Sequence, residues 1–234
     1  MMGTSTALAV LIFTTCKVVY LTSTWSDFMH DSDGIDNALS ISVPLETTGD
    51  GYKHKISIGS NNQNFDVMVT LSSSMLWVPR IGCTGVGSRK QFNSTQSTSF
   101  TRDGRPWKQK SNGGTINGEL GNDVATIRGS ASQQLKPRCT FGMATSISGD
   151  IKMTVDGVLG LAPSNDSSNP TPIKPFISQL IETKGLLNSP MFTIFLSQQS
   201  GSNAGSVTYG SRNAITARQR HRLCYPSQTP TNLR

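Results

Sequence analysis

The sequence predicts an all-β protein carrying one or two short helices. Three observations predict it. Charged residues are sparse at 15%, whereas Gly is frequent and Ser, Thr and Asn are conspicuous along the chain, a composition of loop-rich β proteins rather than of helical ones. Apolar residues recur in short runs separated by turn residues. One segment alone carries a clear helical period. At 234 residues the chain has length for one or two domains and a sizeable core.

Tyr52 to Ile58 alternates, Gly59-Ser60-Asn61-Asn62 reads as a turn, and Phe65, Val67 and Val69 alternate with Asp66, Met68 and Thr70. That is a hairpin. Ser88 to Gly114 is polar and reads as loop-rich. Asn122 to Arg128 and Val155 to Leu161 read as strands. Phe176, Ile177, Leu180 and Ile181 share one helical face, and Gly185 stands where that helix should end. Met191 to Leu196 and Ser206 to Tyr209 read as strands flanking a Gly-Ser-Asn-Ala-Gly turn.

The ends read differently. Ala7 to Phe13 is an apolar run too short to cross a bilayer and sized for a leader core, with small residues after it. Residues 1–16 are expected to be a signal peptide, with cleavage after Cys16 or as late as Thr24; the alternative is a buried N-terminal strand. Residues 17–40 form a short linker or remnant prosegment, and its stretch Ser26 to Asp36 is acidic. The domain proper spans 41–213. Residues 214–234 form a basic tail read as a solvated end. Five of the seven net positive charges lie in Arg212, Arg218, Arg220, Arg222 and Arg234, where no acid follows Ser211. The body is therefore nearly neutral, and neither a nucleic acid nor, once the leader is removed, a membrane is expected as partner.

No phosphate loop, G-x-S-x-G turn or metal-ligand cluster stands out, so no cofactor and no metal is expected. His30, His54 and His221 are far apart and read as ordinary surface histidines. Asn93-Ser94-Thr95 and Asn165-Asp166-Ser167 are glycosylation sequons. With the leader, they point to a secreted, extracellular protein. Cys83 and Cys139 are the two cysteines outside the leader and tail, which makes them the disulfide candidates.

Six blocks in order resemble the pepsin-like (A1) aspartic proteases. They are Gly51 to Gly59, Gln63 to Val69, Ser73-Ser74-Met75-Leu76-Trp77-Val78-Pro79 (the family's S-S-x-L-W-V-P), Asn117 to Asp123, Val155 to Ala162 (the family's D-G-V-L-G-L), and Pro190 to Leu196 with Gly205 to Gly210. The resemblance covers roughly Ile41 to Asn213. It implies one lobe, the N-terminal one, of a bilobal β-barrel enzyme. In that family each lobe supplies one Asp from a D-T-G or D-S-G loop, and the two carboxylates share a proton and activate a water.

Counting back from Trp77, the family's Asp, Thr and Gly fall on Thr70, Leu71 and Ser72. No D-T-G or D-S-G occurs anywhere in the chain. A Thr hydroxyl does not ionise at working pH. Leu71 lacks the hydroxyl that in the family bonds across to the other lobe, and Ser72 adds a Cβ where Gly lets amides approach the carboxylates. The flap tyrosine position falls on Ser111, so no catalytic residue of the family pattern is retained. The remnant cleft is expected at Thr70, Leu71, Ser72, Ser73, Ser111 and Gly114. Asp66 lies four strand residues from Thr70, about 13 Å away, too far to replace a carboxylate; Asp123 and Asp156 match structural positions. Trp107, near the flap, reads as a loop or core residue.

Three readings follow. The chain is a truncated secreted homologue without peptidase activity, binding a peptide or protein through its remnant cleft and self-associating through the surface that would meet a second lobe. Alternatively it is an aspartic endopeptidase completed by an unrecognised acid or a partner chain. As a third reading, it is a fragment or mis-spliced product.

Overall fold

The computed structural model describes residues 40–111, 113–129, 132–151, 153–162, 173–187, 191–197 and 204–211, and the backbone of 10–13. In chain order the strands are β1 Val10–Phe13, β2 Ile41–Thr48, β3 Gly51–Ile58, β4 Gln63–Thr70, β5 Leu76–Thr84, β6 Thr101–Ser111, β7 Gly114–Arg128, β8 Gln134–Leu135, β9 Arg138–Gly149, β10 Gly157–Gly160, β11 Met191–Leu196 and β12 Gly205–Tyr209, with helix α1 Phe176–Glu182 between β10 and β11. The chain is all-β, as the composition predicts.

The strand path β3–β4–β10–β5–β9–β7 closes when β7 returns to β3, where Ile56 to Ile58 pair with Ile127 to Ala125. Closure removes sheet edges within this barrel. β2 belongs to two sheets. Glu46 to Thr48 pair with β3, while Ile41 to Leu45 pair with β12, which leads on to β11 and β1. The barrel therefore continues into a smaller sheet whose order is β2–β12–β11–β1.

The predicted hairpin forms. Gly59 and Asn62 both take positive φ in its turn, as such turns favour, and β3 pairs β4 from Tyr52↔Val69 to Ile58↔Gln63. Its inward faces, Ile56, Ile58, Phe65 and Val67, join the main core with Leu76, Val78, Phe92 and Phe141. Helix α1 lays Phe176, Ile177 and Leu180 on the same core, and Gly185, at φ 76, follows it in the expected place. The reading of 88–114 as loop is corrected in its second half. Thr101–Ser111 is a strand pairing with β7, with its register interrupted between Arg102 and Pro106; it buries Trp107 alone, so no apolar alternation marks it in the sequence. β9 has no clean period either; its register with β7 shifts between Asn117 and Gly118.

Two further expectations change. Cys83 and Cys139 are both free and buried, so the disulfide is not formed. Thr84 pairs with Ser146 on β9, whose second residue is Cys139; about 3.3 Å per residue separates the two cysteines by roughly 20 Å, beyond any S–S bridge. They also sit in different apolar clusters. His54 is not a surface histidine: it is 3% exposed. His30, His221, Asn165, Cys16 and Cys224 lie outside the described residues. In the segment read as leader, the backbone of Val10–Phe13 forms a strand on β11.

Candidate functional site

β4 and β5 are consecutive in the chain but not neighbours in the sheet. β10 lies between them, parallel to β4 (Gly160↔Thr70) and antiparallel to β5 (Leu159↔Leu76). The loop 71–75 therefore bridges the end of β10. Four backbone bonds hold it there. Leu161 N donates to Thr70 O at 2.8 Å, Ala162 N to Ser73 O at 3.0 Å, Gly160 N to Met75 O at 3.0 Å, and Phe176 N to Ser74 O at 2.8 Å. Gly160 is required by this approach: a Cβ there would stand 2.4 Å from Ser73 O. The D-G-V-L-G-L-like block thus acts as the clamp of the loop.

At the clamped loop the side chains are hydroxyls and one exposed aliphatic. Thr70 Oγ1 lies 2.8 Å from Ser72 Oγ and accepts from Ser72 N–H at 3.1 Å. Thr70 is half-buried, Ser72 exposed, and Leu71 40% exposed. Ser73 is buried, with its carbonyl taken by Ala162. Neither hydroxyl ionises in the acid or neutral range, so this pair can orient a water or a peptide group but cannot take a proton from it as a carboxylate does.

The neighbouring acids are committed elsewhere. Asp156 caps two backbone amides, accepting from Asp66 N at 2.9 Å and Lys90 N at 2.8 Å. Asp66 Oδ2 stands 3.5 Å from Lys53 Nζ. Asp123 is fully buried and accepts from Ser99 Oγ at 2.5 Å and Val124 N at 2.7 Å. The ties of Asp156 to Asp66 and Lys90 and of Asp123 to Ser99 were not legible, because those partners lie far apart in the chain. Burial first, then the adjoining Asp123 charge, pushes the Cys139 thiol up to about 12, which makes it a packing residue rather than a nucleophile.

The β6–β7 hairpin approaches the loop through apolar contacts. Trp107 is buried with its ring 5.9 Å from that of Trp77, and Met75 and Ile116 join the same cluster. Trp107 is thus a core residue. Ser111, at the hairpin end, is exposed and pairs with Gly114. Gly114 also pairs with Gly149, and a Cβ on it would meet Ser148 O at 2.1 Å. Trp77 Nε1 is buried without a hydrogen-bond partner among the described residues. Asn93 caps the short 3₁₀ turn Ser94–Gln96, its Oδ1 accepting from Thr95 N and Thr95 Oγ1.

A pocket of about 480 Å³ lies away from this loop, on the wall formed by β2, β3 and β4, lined among others by His54, Asp66, Lys90 and Arg128. His54 stands where β3 passes from β2 to β7. Its Nδ1 is 3.2 Å from Lys55 O, Nε2 has no partner among the described residues, and burial pulls its pKa down to about 4.

Comparison with known proteins agrees with this frame. Residues 51–219 match the model of the family described as eukaryotic aspartyl protease. Aspartic protease 6 of Caenorhabditis elegans is 33% identical over 165 residues, covering 68% of this chain and 42% of that protein. Human gastricsin is 31% identical over 172 residues, 71% of this chain and 42% of its own length. Rabbit cathepsin E is 32% identical over 167 residues, 68% and 40%. The chain therefore spans less than half the length of the curated relatives it matches. With the closed barrel, the clamped loop and the family match in agreement, the chain belongs to the eukaryotic aspartyl protease family, of which it forms one pepsin-like, all-β lobe.

Proposed function

We propose that this chain is a secreted pepsin-like lobe that keeps the family's binding frame and lacks its peptide-bond hydrolysis. The observation that carries the reading is Thr70. The loop is clamped in place by Gly160, Leu161, Ala162 and Phe176, yet the residue at its entrance offers a hydroxyl bonded to Ser72 where the family motif has a carboxylate. Acid proteolysis needs two carboxylates sharing one proton. Removing a catalytic group costs several kcal/mol of barrier stabilisation, on the order of a thousand-fold or more in rate. What remains suits holding an extended peptide against the Thr70–Ser73 backbone and the exposed Leu71, without cleaving it. Secretion rests on the leader-sized apolar run and the two sequons.

The second reading, aspartic endoproteolysis completed by a second chain, is favoured by family membership itself. One assay separates the two. The purified chain is incubated with a denatured protein substrate between about pH 3 and pH 5, with and without a transition-state-mimicking inhibitor of the family, and its folding is monitored by near-ultraviolet circular dichroism in the same buffers. No inhibitor-sensitive cleavage is expected from the folded chain, nor from Thr70→Asp alone. Inhibitor-sensitive cleavage by the unaltered chain would refute inactivity.

A further inference from the structure

The described strand path has two ends, and their chemistry is opposite. One end is β6, which pairs only with β7. It reads Thr-Arg-Asp-Gly-Arg-Pro-Trp-Lys-Gln-Lys-Ser. Arg102, Arg105, Lys108 and Lys110 are exposed along it, Pro106 removes an amide, and the register breaks between Arg102 and Pro106. Charge, proline and irregular register are the devices by which sheet edges repel further strands. The other end is β1, four residues laid on β11, and β11 is the edge that stands there without it. β11 reads Met-Phe-Thr-Ile-Phe-Leu, with no charge, no proline and unbroken register against β12. Nothing in its sequence repels another strand. Five apolar residues in six, with strong β formers among them, favour one.

This second edge is the one that carries an added strand. Val10–Phe13 pairs antiparallel with it in continuous register, from Val10↔Ile194 to Phe13↔Met191. The residues that cover it belong to the segment whose length and composition mark it as a removable leader. Among the described residues the exposed large apolar side chains are Leu71 and Ile81, neither of which lies on β11. With β1 in place no large apolar side chain of β11 is exposed; what taking β1 away uncovers along the strand edge is a row of backbone donors and acceptors.

We propose that the outer edge of β11 is a strand-docking site, filled by Val10–Phe13 in the unprocessed chain and by the β11 edge of a second copy once those residues are removed. A second copy fits for two reasons. A two-fold axis beside β11 brings the same edge up antiparallel, the sense that β1 already adopts. The incoming strand is also uncharged and β-forming, as β1 is. The timing rests on the leader reading above; the docking itself does not.

The test compares the full chain, made where no leader is removed, with residues 17–234, by light scattering during size exclusion and by hydrogen exchange of the Met191–Leu196 amides. The full chain is expected to run at its own mass of 25.2 kDa with those amides protected. Residues 17–234 are expected to double in mass as concentration rises, with the β11 amides that face away from β12 unprotected when dilute and protected when dimeric. A synthetic Ala7–Phe13 peptide added in trans should return the dimer to monomer. Should residues 17–234 fail to fold, the double substitution Leu11→Pro with Ile12→Pro in the full chain supplies the same comparison, since successive strand amides point to opposite edges and one of the two must be lost from the β1–β11 ladder. The proposal is overturned by an opened chain, truncated or carrying both prolines, that stays monomeric at all concentrations, by unprotected outward-facing β11 amides in the full chain, or by a dimer in which these amides remain unprotected. None of these readouts depends on whether the chain cleaves peptides, so the outcome is independent of the assay for proteolysis.

Discussion

Thr70 to Ser72 and Leu76 to Val78 lie a few residues apart on one loop and its following strand, yet they answer to different constraints. Leu76, Trp77 and Val78 are at most 1% exposed. Each is surrounded by the barrel, and each is legible as part of the family block. Thr70 to Ser72 are half-buried or exposed; the Thr70 and Ser72 hydroxyls bond to each other, and Thr70 Oγ1 accepts from the Ser72 amide. The first group is retained because a barrel fills its interior at near-crystalline density. The second group has no packing role that would fix its chemistry. The lesson is that a fold can hold a loop's backbone in position by its neighbours' amides while the loop's side chains drift.

The contrast is sharpest in a stability measurement. Trp77→Ala should cost about 3 to 5 kcal/mol in urea unfolding, because it empties the space between Met75, Gly142 and Trp107; a loss under about 1 kcal/mol would show that the frame is not what holds the loop. Acid should act nearly as strongly through His54. Its folded pKa of about 4 lies below the ordinary value of 6.5. Between those values the unfolded chain binds a proton that the folded chain refuses, so stability falls as pH drops from about 7 towards 4 and then levels, by roughly 3 kcal/mol. His54→Leu should flatten that part of the pH–stability curve; an unchanged curve would assign the acid sensitivity to other groups.

Asp156→Ala leaves two amides, Asp66 N and Lys90 N, without their acceptor. The expected loss is about 2 kcal/mol, readable as a lower thermal midpoint. Leu71→Ala and Ser72→Gly should be the mildest, each within about 0.5 kcal/mol, since the first side chain is exposed and the second bonds only locally. If either proved as costly as Trp77→Ala, the division between frame and loop would fail.

Much of this fold is written in short-range pattern. The β3–β4 hairpin follows from alternation and a Gly-Asn turn, and α1 from Phe176, Ile177, Leu180 and Ile181 with Gly185 after them. β6 and β9 were not legible, for a physical reason. β9 runs against β7 with a one-residue shift, which exchanges the inward and outward faces and erases the period of two, whereas β6 buries Trp107 alone and is otherwise polar, so it has no apolar face to alternate. His54 was misread for a related reason. Alone in sequence it resembles a surface residue; it is buried because β3 changes partner from β2 to β7 around it.

By itself the sequence determined the β class, the α1 helix, the order of the family blocks and the absence of an acid at position 70, because each depends on residue identity or on neighbours within a few positions. The tertiary structure alone decided that Cys83 and Cys139 stay apart, that Asp156 ties β4 to the Lys90 segment, that Gly160 clamps the loop, and that charged β6 is left as an end while uncharged β11 takes β1. Those outcomes depend on which distant strands become neighbours, and pairing between remote segments is settled only when the whole barrel closes.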